Sequence, residues 1–257
     1  MSSAVGRESE KPFVTSSVKE LLVRDWQAGL EALTLDRYEI HVWRIKQPLE
    51  LGAADLLLSF LSEDELARAE RFHFADDRNR YIHSRGALRS LLGRYLGAHP
   101  GELRFCYSPR GKPELASDLG GSRLQFNLAH SGEMIAYAFV HKHRIGIDLE
   151  KIRFDFPVEE IAERFFSEAE RSALRRLKMS ERHTAFFRCW TRKEAYLKAT
   201  GDGLSMPLSD FDVSIDPEQP ARLLATRPDP AEACRWHMES LDCGPNYSAA
   251  LVVESDD

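Results

Sequence analysis

The stretch Ser167-Glu168-Ala169-Glu170 repeats a pattern that the chain has already used about one hundred residues earlier, at Ser62-Glu63-Asp64-Glu65. In each stretch a serine is followed by acidic residues, with a glutamate three positions after the serine. This spacing is typical of a capping box, in which serine and glutamate bond the free backbone amides in the first turn of a helix. The recurrence predicts that the chain contains the same helix-starting unit twice.

The elements around these two stretches also recur in the same order. A strand-like segment opens each unit, a long helix follows the serine-led stretch, and strand pairs close the unit. The segments are Tyr38–Ile45, Arg78–Leu96 and Leu103–Tyr107 with Leu124–Val140 in the first unit, and Ile145–Ile152, Glu181–Ala199 and Phe211–Ile215 with Arg235–Val253 in the second. We therefore predict an α+β fold of two pseudo-twofold-related halves, each a small antiparallel sheet packed on a long helix. A site made from both halves would lie in the cleft between them.

The repeat divides the chain into three parts. Residues 1–36 form an N-terminal extension, for which we predict a short helix over Val18–Leu33. The first α+β half covers residues 37–143, and the second half covers residues 144–257.

Composition argues against several classes of protein. Of the 257 residues, 43% are apolar and 30% charged, as in an ordinary globular chain. The longest apolar runs are strand-sized, well short of the roughly 18 to 20 residues of a membrane helix, so no membrane partner is expected. A formal net charge of −6 argues against a nucleic-acid partner. The cysteines form no CxxC pair and the first residues lack the apolar core of a secretory signal, so we expect reduced thiols in a cytoplasmic protein.

The strand-like segment of the second unit carries two neighbouring carboxylates. Side chains alternate along a strand, so Asp148 and Glu150 share one face while Ile147 and Leu149 share the other. Two carboxylates side by side repel each other unless water screens them or a cation neutralises them. Oxygen ligands without soft donors suit Mg²⁺ or Mn²⁺. A solvent-facing strand edge is the alternative interpretation.

The long helix of the second unit carries a third carboxylate. At helical spacing Glu194 falls on one face with Phe187, Trp190 and Leu197. An acid within an apolar stripe is costly unless it is paired or bound to a metal. An i,i+4 ion pair with Lys198 is the simpler explanation, but such pairs are usual on exposed faces. We therefore predict that Glu194 joins Asp148 and Glu150 at one cation.

Two turns and one basic segment suggest anion binding. His130 and Ser131 stand at a strand end before Gly132, where they could donate to a phosphate or simply form a hairpin turn. Ser108–Glu114 is a Pro- and Gly-rich loop that carries two cations. The basic segment is a solvated helix face or a grip for a polyanionic ligand; it contains Arg68, Arg71, Arg78, Arg80, Arg85, Arg89 and Arg94.

Together these segments resemble the surfactin-type 4′-phosphopantetheinyl transferases. The resemblance covers nearly the whole chain after the extension and keeps the order of the family's motifs. Those motifs are Arg110-Gly111-Lys112-Pro113, Phe126-Asn127-Leu128-Ala129-His130-Ser131, Gly146-Ile147-Asp148-Leu149-Glu150, Arg164-Phe165-Phe166-Ser167 and the Trp190–Lys198 helix segment. The resemblance also implies the two-half α+β fold already predicted from the repeat.

The resemblance implies a role for each candidate residue. Asp148, Glu150 and Glu194 would hold Mg²⁺, or Mn²⁺, together with the pyrophosphate of coenzyme A. His130 and Ser131 would contact the phosphates of the nucleotide. The adenine pocket would be lined by Gly111, Lys112 and Pro113, and the 3′-phosphate would be held by Arg68, Arg80 and Arg85. Two positions depart from the family: Ala129 stands where serine is frequent, and Glu65 where a lysine can occur.

The implied reaction is transfer of 4′-phosphopantetheine from coenzyme A to a serine of an apo acyl carrier protein or peptidyl carrier domain. The serine attacks the β-phosphate and 3′,5′-ADP leaves, with Glu194 as general base and Lys198 stabilising the phosphoryl charge. The resemblance also implies a monomer. Two other classes stay open on the residues alone: a metal-dependent phosphohydrolase, and a non-catalytic module that binds coenzyme A or a carrier protein.

Overall fold

A computed structural model describes residues 14–15, 19–20, 32–49, 51–108, 111–116, 123–201, 203–227 and 229–255. The helices are α1 (Leu51–Ser59), α2 (Glu63–Ala69), α3 (Ala75–Leu96), α4 (Val158–Phe165), α5 (Glu168–Arg176) and α6 (Met179–Thr200). The strands are β1 (Val14–Thr15), β2 (Lys19–Glu20), β3 (Glu39–Lys46), β4 (Phe105–Tyr107), β5 (Pro113–Leu115), β6 (Leu124–Ser131), β7 (Met134–His141), β8 (Ile145–Lys151), β9 (Phe211–Val213), β10 (Leu223–Thr226), β11 (Trp236–Ser240) and β12 (Tyr247–Glu254). Within the described ranges no helix is both long and apolar enough to cross a membrane.

The first half is built on the antiparallel strands β3, β7 and β6, in that order. β6 and β7 form a hairpin that turns at Gly132, whose φ of 57° lies in the left-handed region that glycine adopts without strain. β1 and β2 both pair in parallel with β3 and extend the sheet at its edge. Of the described residues of the extension, 14–15 and 19–20 are strands and 32–36 form neither helix nor strand. The predicted helix over Val18–Leu33 is therefore wrong at Lys19, Glu20, Ala32 and Leu33, and the rest of it lies outside the described residues.

The second half is built on the antiparallel strands β11, β12 and β8. The register pairs Asp148 with Ala250 and Glu150 with Ser248. Two further antiparallel pairs, β4 with β5 and β9 with β10, stand apart from the main sheets.

The long helices cover the outer faces of the two sheets. Leu88, Leu91 and Leu92 of α3 are fully buried in one cluster with Tyr137 and Phe139 of β7. The aromatic and aliphatic side chains of α6 form the corresponding cluster on β11 and β12. Burial of these apolar stripes is the main stabilising term for each half.

The inner faces of the two sheets pack against each other. The shared cluster joins Val42 and Ala138 of the first sheet to Ile147, Leu149 and Leu251 of the second. The layers therefore run helix, sheet, sheet, helix. The α+β prediction of two halves, each an antiparallel sheet packed on a long helix, is confirmed.

The two serine-led stretches begin helices as predicted. At Ser167 the box is reciprocal: the Glu170 backbone amide donates to Ser167 Oγ at 3.3 Å, and the Ser167 amide donates to Glu170 Oε2 at 3.0 Å. At Ser62 the Glu65 carboxylate accepts from the Ser62 amide at 3.1 Å. The Ser62 hydroxyl also accepts from Arg89 Nη2 at 2.9 Å.

Some predicted boundaries differ from the structure. The long helices start earlier than predicted, at Ala75 and Met179. The strand predicted from Leu103 begins only at Phe105, because Pro100–Glu102 forms a 3₁₀ turn whose C-cap is Leu103. Helices α1 and α4 were not predicted.

Candidate active site

A cleft of about 670 Å³ lies between helix α3 and the end of helix α6. Its lining includes residues from both sides of position 144 in the chain. Predicted site residues in the lining are Arg68, Arg80, Arg85, Gly111, Lys112, Pro113, His130, Glu194 and Lys198. Asp148, Glu150 and Ser131 are not part of this lining and lie beside it, around Lys198 and the start of the β6–β7 turn.

The carboxylate face of β8 is turned toward helix α6. The two elements approach each other closely at Gly146, where a Cβ atom would lie 2.1 Å from the Ala195 carbonyl oxygen and 2.4 Å from the Ala199 amide nitrogen. Both neighbours are backbone atoms, so only glycine fits at this position. This close approach brings Asp148 and Glu150 toward the helix that carries Glu194.

Asp148 is buried, with 5% of its surface exposed. Its Oδ1 accepts a hydrogen bond from Lys198 Nζ at 2.7 Å. Its Oδ2 is buried and has no hydrogen-bond partner. A buried carboxylate oxygen without a donor is costly, and a cation or water would remove that cost.

Glu150 is held by the start of the β6–β7 turn. Ser131 Oγ donates to Glu150 Oε2 at 2.6 Å and accepts from the Lys151 amide at 3.0 Å. Because the backbone amide occupies an acceptor site of the hydroxyl, its one proton is directed at Glu150. Burial nevertheless raises the pKa of Glu150, against the lowering effect of the Ser131 hydrogen bond. Ser131 was predicted to contact phosphate; its hydroxyl is engaged with a carboxylate.

Glu194 is half-buried on the cleft wall. Burial raises its pKa, the negative charge of Asp148 raises it further, and Lys198 acts in the opposite direction. The three predicted carboxylates are therefore close enough to influence one another. Across the described ranges, however, no group of three or more His, Cys, Asp and Glu side chains is arranged as a metal site.

Asp148, Glu150 and Glu194 suit a hard divalent cation for two reasons. All three side chains supply carboxylate oxygens, and the Oδ2 atom of Asp148 is buried and accepts no hydrogen bond. The Lys198 ammonium already brings one positive charge to Asp148.

His130 lies at the end of β6 on the rim of the cleft. Desolvation lowers its pKa, and the positive charges of Arg80 and Lys198 lower it further. The imidazole is therefore neutral near pH 7, with one nitrogen able to donate to an anion.

The three predicted arginines differ in their exposure to solvent and in their contacts within the protein. Arg68 is exposed and its guanidinium lies 5.5 Å from the Tyr81 ring centroid. Arg80 forms an ion pair with Asp77 at 2.9 Å. Arg85 is buried, pairs with Glu65 at 2.5 Å and donates to the Tyr107 hydroxyl.

Glu65, one of the two departures from the family pattern, is the centre of a buried Arg-Glu-Arg triad. Its Oε2 accepts from Arg89 Nε at 2.6 Å while its Oε1 accepts from Arg85. Arg89 also donates to the carbonyls of Pro100 and Leu103. One carboxylate facing two guanidiniums leaves a net positive charge beside the cleft, so loss of a lysine at this position does not make the wall neutral.

Gly111, Lys112 and Pro113 lead into β5, and the Gly111 amide donates to the Ser108 carbonyl at 2.8 Å. Gly111 has a φ of 81°, which requires glycine or a strained residue. The Lys112 ammonium donates to the carbonyls of Lys198 at 3.0 Å and Ile145 at 3.3 Å. It is thus already engaged within the protein.

Some residues of the site were not predicted from the sequence. Tyr81, Ser84 and Leu197 line the cleft, and the buried Tyr81 hydroxyl has no partner. No sequence signal marks Tyr81, because it is one of many residues on a helix. Asn127 had a signal, as part of a family motif: its Oδ1 accepts from the Ile147 amide at 2.9 Å and ties β6 to β8.

Lys193, which precedes Glu194, contacts the protein interior and not the cleft. Lys193 is fully buried, pairs with Glu170 at 2.8 Å and donates to the carbonyls of Leu208 and Phe211. It anchors α6 to the 3₁₀ turn that precedes β9 and takes no part in the cleft lining.

Comparison with known proteins gives two family matches that lie end to end. Residues 144–252 match the model described as 4′-phosphopantetheinyl transferase superfamily. Residues 50–142 match the model described as 4′-phosphopantetheinyl transferase, N-terminal.

Individual relatives carry the same description. The 4′-phosphopantetheinyl transferase HetI of Nostoc sp. is 44% identical over 235 residues, covering 91% of this chain and 95% of the relative. The 4′-phosphopantetheinyl transferase Sfp of Bacillus subtilis is 31% identical over 212 residues, covering 82% and 90%. A solved holo-[acyl-carrier-protein] synthase of Thermotoga maritima matches 44% of this chain and 63% of its own, with 25% identity and a TM-score of 0.36.

Proposed function

Because this chain belongs to the 4′-phosphopantetheinyl transferase superfamily, we propose that it transfers the 4′-phosphopantetheine moiety of coenzyme A to a serine of an apo acyl or peptidyl carrier protein, releasing 3′,5′-ADP. One observation supports this site for the reaction. Asp148 and Lys198, joined by an ion pair, lie within electrostatic reach of Glu150 and Glu194 beside a cleft with a basic wall.

The proposal includes a divalent cation, Mg²⁺ or Mn²⁺, held by Asp148, Glu150 and Glu194. The unpartnered Asp148 Oδ2 and the all-carboxylate donor set support it. When bound, Mg²⁺ supplies neutralisation of the pyrophosphate charge and of the leaving group.

Glu194 is proposed as the general base. The serine Oγ–P bond forms at the β-phosphate as the bridging P–O bond to 3′,5′-ADP breaks, and the serine proton passes to Glu194. Burial and the charge of Asp148 raise the pKa of Glu194, which makes it a stronger base than an exposed carboxylate.

Lys198 is proposed to stabilise the negative charge that spreads over the transferred phosphoryl group. Its ammonium already lies 2.7 Å from Asp148 Oδ1, with 31% of the side chain exposed toward solvent. Because Lys198 also lines the cleft, its ammonium can contact an anion bound there.

The remaining candidates are proposed to bind coenzyme A. Arg68, Arg80 and the net positive Arg85–Glu65–Arg89 triad would hold the 3′-phosphate, and His130 would donate to a nucleotide phosphate. Gly111 and Pro113 would lie against the adenine. Ser131 would act on the phosphates only through Glu150, given its hydrogen bond to that carboxylate.

We extend the proposal to a monomer in the cytoplasm that uses no nucleic acid or membrane. One chain supplies both walls of the cleft, the four cysteines are free thiols, and the net charge is −6. Since that charge gives no overall attraction to an acidic carrier, docking would use a local surface. The division into an extension (1–36) and halves (37–143 and 144–257) is part of the same proposal.

The experiment is intact mass measurement of a panel of apo carrier proteins after incubation with the protein, coenzyme A and Mg²⁺. We expect a gain of one phosphopantetheine group per carrier, abolished by EDTA and restored by excess Mg²⁺. Coenzyme A cleaved with every carrier unchanged would point to a phosphohydrolase. Coenzyme A bound but unreacted with every carrier would point to a binding module.

A further inference from the structure

The proposed functional carboxylates lie on two elements, β8 and α6, whose backbones are in close contact at Gly146. Asp148 and Glu150 belong to β8, while Glu194 and Lys198 belong to α6. Gly146 lets the strand approach the helix within the space of a missing Cβ. The geometry of the site therefore depends on how these two elements are fixed relative to each other.

Lys112 reaches this point of contact from the first half of the chain. Its Nζ donates to the carbonyl of Ile145, next to Gly146, and to the carbonyl of Lys198. One ammonium thus connects the segment that precedes β5 to the start of β8 and to the last turn of α6.

The carbonyl of Lys198 is a natural acceptor for such a cation. It is among the last carbonyls of α6, which ends at Thr200, and these groups have no partner within the helix. A positive charge at a helix C-terminus is also favoured by the helix dipole. The bond holds the backbone of the residue whose side chain reaches Asp148.

The surroundings of Lys112 disfavour the charged form of its side chain. Burial lowers the pKa of Lys112 to about 8; Glu114 acts against that shift, while Lys198 and Arg144 add to it. Lys112 is half-buried at the cleft wall, so its two hydrogen bonds must offset the loss of water around its ammonium.

We propose that Lys112 is a positioning residue, which locks β8 and the end of α6 in register so that Lys198 meets Asp148 across from Glu194. This inference rests on the proposed transferase function. It replaces, for the side chain of Lys112, the adenine-pocket role that the family resemblance implied for the residue, since both hydrogen bonds of the ammonium go to protein carbonyls.

The test compares Lys112→Met, which keeps the length but removes the donors, with Lys112→Arg, which keeps the cation. Lys46→Met at an exposed strand end is the matched control. Steady-state kcat and KM for coenzyme A are measured on one apo carrier, and coenzyme A affinity is measured by calorimetry without carrier. We expect kcat of Lys112→Met to fall at least about tenfold, with KM and affinity for coenzyme A within about twofold of wild type. Lys112→Arg should recover most of kcat, and Lys46→Met should match wild type.

A rise in KM and a loss of affinity at unchanged kcat would overturn the proposal in favour of an adenine contact. Unchanged kcat and KM would overturn it as well. If Lys112→Met does not fold, as judged by thermal melting, Lys112→Gln is used, because its shorter amide cannot reach both carbonyls; the same fall in kcat is expected. Absence of transfer by wild-type protein would instead contradict the proposed function.

Discussion

Single residues of the site take part in more than one hydrogen bond each. Lys198 neutralises Asp148 while its backbone carbonyl accepts from Lys112. Ser131 orients Glu150 while it accepts from the Lys151 amide. Removing one such group leaves a buried partner without its bond, which costs more than the bond itself contributes.

Ser131→Ala should weaken metal binding. The variant leaves Glu150 Oε2 without its donor, so the carboxylate is no longer held in one orientation. Groups that orient metal ligands typically change affinity about 10- to 100-fold. We expect Mn²⁺ affinity, measured by electron paramagnetic resonance or calorimetry without coenzyme A, to fall by about tenfold.

Ser131→Thr, which retains the hydroxyl, is the control and should stay near wild type. Unchanged Mn²⁺ affinity in Ser131→Ala, together with a higher KM for coenzyme A, would contradict the orienting role. That result would return Ser131 to the phosphate contact that the resemblance implied.

Lys112 should make folding stability depend on pH. Its pKa is about 8 in the folded protein against an ordinary 10.5, so between these values the unfolded chain binds more protons than the folded one. The free energy of unfolding therefore rises with pH across this window, by at most about 3 kcal/mol from this group. Below pH 8 the folded protein carries the full free-energy cost of keeping Lys112 charged.

Chemical denaturation of wild type and Lys112→Met at pH 7 and pH 10 measures this effect. The other titrating groups are common to both proteins, so the difference in their pH dependence belongs to Lys112. Parallel pH dependence in the two proteins would contradict a depressed pKa.

At the scale of elements, the approach of β8 to α6 should be intolerant of any side chain. Gly146→Ala would place a methyl group against two backbone atoms of α6. Overpacking usually costs about 1–3 kcal/mol and more where backbone must move; we expect about 3 kcal/mol and loss of transfer. Thermal or denaturant unfolding measures it.

Gly52→Ala is the matched control, since nothing lies within 4 Å of the Cβ it would add in α1. It should be neutral or stabilising by up to about 1 kcal/mol, because alanine favours a helix over glycine. Equal stability of the two variants would contradict the close packing of strand and helix.

Elements were predictable where local signals are strong. The serine-led stretches mark the starts of α2 and α5, and alternation along β8 separates Asp148 from Ile147. The 3₁₀ turn at Pro100–Glu102 and helix α1 carry no comparable signal, so they were missed. Helix α4 was missed although its apolar residues Val158, Ile161, Ala162 and Phe165 recur at helical spacing. The extension shows the same limit, because pairing of β2 with β3 is decided by the sheet edge and not by the local sequence.

At the scale of the whole molecule, the repeat predicts two halves and a cleft between them, since each long helix must bury its apolar face on a sheet. The repeat cannot predict which side chains form hydrogen bonds between the segments that meet at the cleft. Asn127 to Ile147, Lys112 to Lys198 and Ser131 to Glu150 all join segments that are distant in the chain. Such contacts depend on tertiary packing. The residue types of the site were therefore predictable from the sequence, while the partners of Lys112 and Ser131 were not.

The central claim is that carboxylates from β8 and α6 act together to drive phosphopantetheine transfer. The most direct test is the intact mass of an apo carrier after reaction with wild type or with Glu194→Gln, each with coenzyme A and Mg²⁺. Glutamine keeps the shape and removes the charge and the basic oxygen. We predict one added phosphopantetheine group with wild type and at least about a hundredfold slower addition with Glu194→Gln, at equal thermal stability. Modification by Glu194→Gln at the wild-type rate would contradict the account.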